Sequence, residues 1–123
     1  MKSISRSAEF AEVRARGFKY RAGALSLVFL PGDEPEVRLG MSVPRKVGKA
    51  VVRNKLRRRV RAIFREQESS MAAGSYVVLA YPQSAALDYH QLSEIVTSLT
   101  VRASRAVSSA SKTMSEAVEE HRV

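Results

Sequence analysis

Ten basic side chains lie within the 21 residues from Arg45 to Arg65, and no acidic residue interrupts them. Most of them are arginines, whose planar guanidinium can hold a phosphate through two hydrogen bonds and can also stack on a base. Asn54 lies among them and adds an amide that both donates and accepts hydrogen bonds. This chemistry suits a polyanionic ligand, and a folded RNA with closely packed phosphates and unstacked bases fits it well.

The charge of the whole chain is uneven. The formal net charge is +9, but residues 1–65 carry 17 basic and 5 acidic side chains, whereas residues 66–123 carry 4 basic and 7 acidic ones. Such asymmetry predicts a polyanionic partner for one part of the molecule. Nucleic acid, an anionic membrane surface and an acidic protein all meet that description, so the charge alone leaves the three open.

The other reactive residue types give no support to catalysis by the protein itself. His90 and His121 are far apart, and the carboxylates around them form no pattern that suggests a metal site or a general base. The absence of Cys excludes disulfides, thiolate zinc sites and cysteine nucleophiles, and it fits a reducing compartment. We therefore expect no catalytic and no metal-binding residue. Because no secretory signal or membrane span is visible either, we expect a cytoplasmic location.

A helix must present the basic residues. Leu56, Val60, Ile63 and Phe64 recur at helical spacing and predict a core stripe, while the arginines fall on the other faces. Like charges four residues apart destabilise a helix. This segment contains several such pairs and no acidic residue. The pattern therefore favours binding of an external anion over a merely solvated face or a membrane-surface helix. Arg53, Arg57 and Arg61 form one row at i, i+4 and i+8.

The remaining elements are read from periodicity and turn residues. A first helix is predicted from Ser7 to Gly17, and a last helix from Asp88 to about Val107. Strands are predicted at residues 18–21, 24–30, 36–43 and 76–81. The segment Pro31–Pro35 is a strong turn signal, so we interpret the two strands beside it as a hairpin.

The predicted order is α-β-β-β-α-β-α. The basic helix between the third and fourth strands is long enough to serve as a crossover between parallel strands. We therefore predict one α+β domain over residues 1–107, a two-layer sandwich of helices on a mixed sheet. Residues 108–123 are rich in serine and end in acidic residues, and we expect them to form a flexible C-terminal tail.

The segment from Lys46 to Arg61, KVGKAVVRNKLRRRVR, resembles the signature of the bacterial ribonuclease P protein family. That signature is an Arg-Asn-Arg core followed by basic residues on a helix, after a Lys-x-Gly-x-Ala-Val turn. The strand Arg38–Val43 and the spacing of Phe10, Val13 and Gly17 are also similar to the family, and the resemblance runs from about Phe10 to Val101. It implies the fold of the second domain of ribosomal protein S5.

The resemblance also implies a role. In that family the RNA subunit carries the catalysis with Mg²⁺ held mainly by RNA, and the protein alone is inactive. The protein binds the catalytic RNA and grips the single-stranded 5′ leader of precursor tRNA, in a cleft between the first helix and the open face of the sheet. No membrane and no protein partner is expected. A ribosomal or other structural RNA-binding protein is the alternative, and a basic protein that docks on anionic membrane or acidic protein is a further one.

The resemblance predicts which residues contact RNA, although three positions depart from the family's usual residues. Lys55 stands where the family usually has Arg, Arg14 replaces a common aromatic residue, and Tyr81 stands where a basic residue is common. The residues expected to face the catalytic RNA are Lys46, Arg53, Asn54, Lys55, Arg57, Arg58 and Arg61, and those expected to border the leader are Phe10, Arg14, Arg38 and Ser42.

Overall fold

The structure is a computed structural model that describes the backbone of residues 1–120 and the side chains of residues 1–107. The described residues form five strands, β1 (Lys2–Ser3), β2 (Phe18–Ala22), β3 (Leu25–Pro31), β4 (Val37–Ser42) and β5 (Gly74–Ala80). They also form three α-helices, α1 (Ser7–Arg16), α2 (Ala50–Gln67) and α3 (Tyr89–Glu120). The predicted α+β order is confirmed, and the short strand β1 precedes it.

The five strands make one mixed sheet in the order β1-β4-β5-β3-β2. Strands β4 and β5 are parallel, as the crossover through α2 predicts, while β5 pairs antiparallel with β3. The predicted hairpin between β3 and β4 is wrong, because β5 lies between them. Strand β5 is apolar on both faces, so it takes the central position, where both of its edges find backbone partners.

The one tight hairpin of the described sheet joins β2 to β3. Its turn contains Gly23, whose φ of 61° lies in the left-handed region that favours glycine. Alternation along β2 then directs Tyr20 toward the main core and sends Lys19 and Arg21 to the opposite face of the sheet. This hairpin therefore brings two cations onto a face that the main core does not use.

The main core lies between the sheet and the two helices α2 and α3. The predicted stripe of α2 is buried in it, together with the apolar side of α3 that includes Leu92 and Leu99. Tyr76 of β5 stacks on Phe29 with ring centroids 4.5 Å apart, and Phe64 of α2 meets Tyr76 edge-on at 5.9 Å. These contacts hold α2 with its stripe inward, so its other sides must face outward.

Helix α1 covers part of the opposite face of the sheet. Val13 is 1% exposed and packs there in a small cluster with Ile4, Val28 and Val77. Phe10 is half-buried against the same cluster. Because α1 has only ten residues, a cleft remains beside it over the part of this face that carries Ser26 and Leu79.

Helix α3 is longer than the sequence predicts. Its backbone is helical to Glu120, where the sequence predicts an end near Val107. The side chains of residues 108–120 and the whole of residues 121–123 lie outside the described part, so the flexible tail stays a prediction. Within the described residues, no helix combines the length and the apolar composition needed to cross a bilayer.

Candidate RNA interface

One side of α2 carries a compact set of three arginines and one asparagine. Together with Val51, they line a shallow groove of about 560 Å³ on the outer surface of the helix. The Nη1 atom of Arg57 donates to Oδ1 of Asn54 at 3.2 Å, so the amide helps to hold that guanidinium in place. We call this set the arginine face, and it consists of Asn54, Arg57, Arg58 and Arg61.

Lys55 and Arg59 lie on a different side of α2 from the arginine face. They border a second hollow, of about 110 Å³, against the 3₁₀ turn Pro82–Ala86. Nη1 of Arg59 donates to the carbonyl oxygen of Leu87 over a long 3.4 Å. Lys55 is exposed, so it can meet an anion, but it does not share the groove of the arginine face.

The two other residues predicted to contact the catalytic RNA lie at the start of α2 and in the turn before it. Arg53 is half-buried, and its Nε donates to the carbonyl oxygen of Gly48 at 3.1 Å. This bond holds the segment before the helix in place, and the two terminal amino groups of Arg53 remain available to an external ligand. Lys46 is exposed in the 3₁₀ turn Arg45–Val47.

Acidic residues do not neutralise the arginine face. Among residues 1–107, the ion pairs join other basic groups to Glu9, Glu12, Glu36, Glu68 and Glu94, and none includes a basic residue of α2. The positive field on this side of the molecule is therefore free to attract an external anion.

A second cationic surface lies on the open part of the sheet. It is a cleft of about 240 Å³ beside α1, and its floor comes from β3 and the end of β5. The aliphatic and aromatic parts of its lining suit bases, and its cations suit phosphates. We call it the sheet cleft, and its lining includes Arg14, Lys19, Arg21, Ser26, Leu79 and Tyr81.

Of the four residues predicted to border the leader, only Arg14 lines the sheet cleft. This residue is exposed. Phe10 instead belongs mainly to the contact between α1 and the sheet, where its ring lies over Gly40. Ser42 is half-buried at the end of β4, in register with Leu79, and is not part of the lining of the cleft.

Arg38 has acidic partners. Its Nη1 lies 2.7 Å from Oε1 of Glu9 on α1, its Nη2 donates to Oε2 of Glu9 at 3.0 Å, and its Nε is 3.5 Å from Oε1 of Glu36. The side chain therefore ties α1 to β4, and its charge is largely satisfied within the protein. An RNA phosphate would have to compete with two carboxylates for it.

The sequence analysis did not single out Lys19, Arg21 and Ser26, which line the sheet cleft, and it did not place Tyr81 beside them. A signal for the first two was present, because residues two apart in a strand share a face, and both are cationic. Tyr81 carried no such signal, because it follows β5 along the chain and reaches Ser26 only through the pairing of β5 with β3.

A single α+β domain with an unneutralised arginine face and a second cationic cleft belongs to the class of basic RNA-binding proteins. The sequence profile of the family described as Ribonuclease P matches residues 1–104. The chain therefore belongs to the ribonuclease P protein family, and it is a protein component of that RNA-based endoribonuclease.

Relatives and solved structures agree with this membership. The ribonuclease P protein component of Thermobifida fusca is 41% identical over 98 residues, which cover 72% of this chain and 67% of that protein. The ribonuclease P protein of Thermotoga maritima has a TM-score of 0.76 at 27% identity and covers 83% of this chain and 97% of that one. The Staphylococcus aureus protein shares the fold, with a TM-score of 0.78 at 24% identity over 84% of this chain and 95% of that one.

Proposed function

We propose that this subunit works by docking the arginine face of α2 on the catalytic RNA and by holding the single-stranded 5′ leader of precursor tRNA in the sheet cleft. The endonuclease would then remove the leader and leave the mature 5′ end of the tRNA. The observation that carries the proposal is the arrangement of α2, whose buried stripe fixes the helix while the arginine face lies at the surface, without an acidic partner among residues 1–107.

The two surfaces would make different contributions. Contacts of the arginine face with RNA phosphates release counterions, so assembly depends strongly on salt. If about six phosphates are engaged, affinity falls roughly 10³-fold between about 50 and 200 mM salt. The sheet cleft adds contacts that only precursor tRNA can make, because mature tRNA has no leader. We therefore propose that the protein favours precursor over mature tRNA.

We propose that the Mg²⁺ of the holoenzyme is held mainly by RNA and not by residues 1–107 of this chain. The described residues contain no group of three His, Asp or Glu side chains that could hold a metal ion. Glu9 and Glu36, on the face that α1 covers, are already paired with Arg38. The residues of this protein would then act by binding RNA, not by holding the metal ion. We also propose a cytoplasmic location, since precursor tRNA is made there in bacteria.

Reconstitution tests the proposal. The protein is mixed with ribonuclease P RNA of the same organism at low Mg²⁺, and cleavage of 5′-labelled precursor tRNA is measured against RNA alone. We expect strong stimulation by the protein and no cleavage by the protein without RNA. An RNA that binds the protein without faster cleavage would contradict the proposal and favour a structural RNA-binding role.

A pair of variants makes this test specific to the arginine face. Arg57→Ala with Arg61→Ala should weaken assembly with the RNA and lower the slope of log affinity against log salt by roughly 0.7 to 0.9 for each phosphate that the protein no longer binds. The control, Arg16→Ala with Arg105→Ala, removes the same charge from exposed positions on α1 and α3. If both variants lose affinity equally, net charge is responsible and the assignment of the arginine face is wrong.

A further inference from the structure

Three side chains form a connected row at the sheet cleft. Ser26 of β3 is 8% exposed, and its Oγ lies 2.8 Å from the hydroxyl oxygen of Tyr81, so one of the two donates to the other. The guanidinium carbon of Arg21 lies over the ring of Tyr81, 4.0 Å from its centroid. The row thus runs from a buried hydroxyl, through an aromatic ring, to an exposed cation.

Arg21 is held at several points. Besides its contact with the ring of Tyr81, its Nε donates to the carbonyl oxygen of Gly23 at 3.3 Å. Its own backbone carbonyl accepts a hydrogen bond from Nη1 of Arg102 at 3.0 Å. Among residues 1–107, no carboxylate forms an ion pair with Arg21. Its two terminal amino groups are therefore left for an external acceptor.

We infer that Tyr81 is a positioning residue, which holds the guanidinium of Arg21 in the sheet cleft for a phosphate of the single-stranded leader. The inference rests on the proposed function, because it assigns one contact within the proposed leader site. A planar guanidinium binds phosphate through two parallel hydrogen bonds and is attracted to the face of an aromatic ring. Fixing it before the ligand arrives reduces the rotamer entropy lost on binding. Ser26 fixes the ring in turn.

Precursor binding by the reconstituted holoenzyme tests this inference. The ratio of the affinities for precursor and mature tRNA is measured at several salt concentrations, and it isolates the contribution of the leader. The variants are Arg21→Ala, Tyr81→Leu, Tyr81→Phe and the double variant Arg21→Ala with Tyr81→Leu. Arg105→Ala is the matched control, because it removes one exposed cation from α3, outside the sheet cleft.

Arg21→Ala should lower the precursor-to-mature ratio about tenfold, as expected when one charged hydrogen bond to the ligand is removed. It should also reduce the salt slope of that ratio by about 0.7, the value for one phosphate of a single strand. Tyr81→Leu should reproduce most of both effects. Tyr81→Phe keeps the aromatic face but loses the bond to Ser26, so we expect a smaller loss, within about threefold of the wild type. The double variant should be no worse than Arg21→Ala alone.

Additivity decides between positioning and direct stacking. If Tyr81→Leu costs the same with and without Arg21, Tyr81 contacts the leader by itself and the inference is overturned. An unchanged ratio for Arg21→Ala, with a wild-type holoenzyme that does prefer precursor, overturns this inference but leaves the proposed function standing. A wild-type holoenzyme without that preference overturns both. If Tyr81→Leu misfolds, the inference stays falsifiable, because Arg21 is exposed and an unchanged ratio for Arg21→Ala still overturns it.

Discussion

The ring of Phe10 lies directly on Gly40. A β-carbon added at position 40 would come within 2.6 Å of Cζ of Phe10 and 3.0 Å of Cβ of Ile4. This contact lets α1 approach the sheet closely, and it is reinforced from the side by the pair of Glu9 and Arg38. The position of α1, and with it one wall of the sheet cleft, thus depends on the absence of a side chain in β4.

Gly40→Ala should therefore destabilise the protein by about 1–3 kcal/mol, the usual cost of overpacking. Urea unfolding measures this cost. Phe10→Leu removes the atom that clashes first, so the cost of Gly40→Ala should be smaller in a Phe10→Leu background. Equal costs in both backgrounds would show that the ring does not set the distance between α1 and the sheet.

Glu9→Gln should loosen α1 and release Arg38 at the same time. The pair is half-buried, with side-chain exposures of 19% for Glu9 and 39% for Arg38, so we expect a loss of about 1 kcal/mol of stability. If Arg38 then contacts the leader, affinity for precursor tRNA should rise at low salt. The matched control is Glu12→Gln, which removes an equal charge from an exposed pair with Arg16 on the same helix. A rise with both variants would indicate net charge alone.

Arg58 and Arg59 should behave differently although they are neighbours in sequence. Arg58→Ala should weaken assembly with the RNA, lower its salt slope by roughly 0.7 to 0.9, and leave stability within about 0.5 kcal/mol of the wild type. Arg59→Ala should instead cost about 0.5–1 kcal/mol of stability, because its stem and its bond to Leu87 join α2 to the end of the 3₁₀ turn Pro82–Ala86. Filter binding and urea unfolding measure these effects for both variants. A larger loss of stability in Arg58→Ala than in Arg59→Ala would contradict the prediction.

Tyr76 should make the stability sensitive to alkaline pH. Burial raises the pKa of its hydroxyl above the ordinary value of about 10. The folded protein therefore keeps a proton that the unfolded chain releases. This contribution to stability is fully present below about pH 10 and is lost as the pH rises through the folded pKa.

Urea unfolding at about pH 8 to 11 compares the wild type with Tyr76→Phe. The variant should lose about 1 kcal/mol at neutral pH, because the carbonyl oxygen of Ala72 loses its hydrogen bond from the Tyr76 hydroxyl. It should then decline less than the wild type above pH 10. Parallel curves for the two proteins would show that Tyr76 is not responsible.

Much of the site was visible in the sequence because it lies on one helix. The buried stripe and the exposed arginines of α2 follow from a period of 3.6 residues, a local property that tertiary contacts did not override. At the start of α3, Asp88 and Gln91 form a capping box, with each side chain bonded to the backbone of the other residue. Within one helix, spacing along the chain and placement in space are nearly the same thing.

Strand neighbours and ion pairs across elements were decided only by the tertiary structure. The order β4-β5-β3 follows from burial of both faces of β5, and this order places Tyr81 beside Ser26. Arg38 looked available for RNA in the sequence, but the docking of α1 places Glu9 against it. The alternation of a strand specifies which residues share a face, whereas its partners depend on long-range packing. The sequence by itself therefore determined which helix carries the cations, and only the folded chain decided which cations stay free.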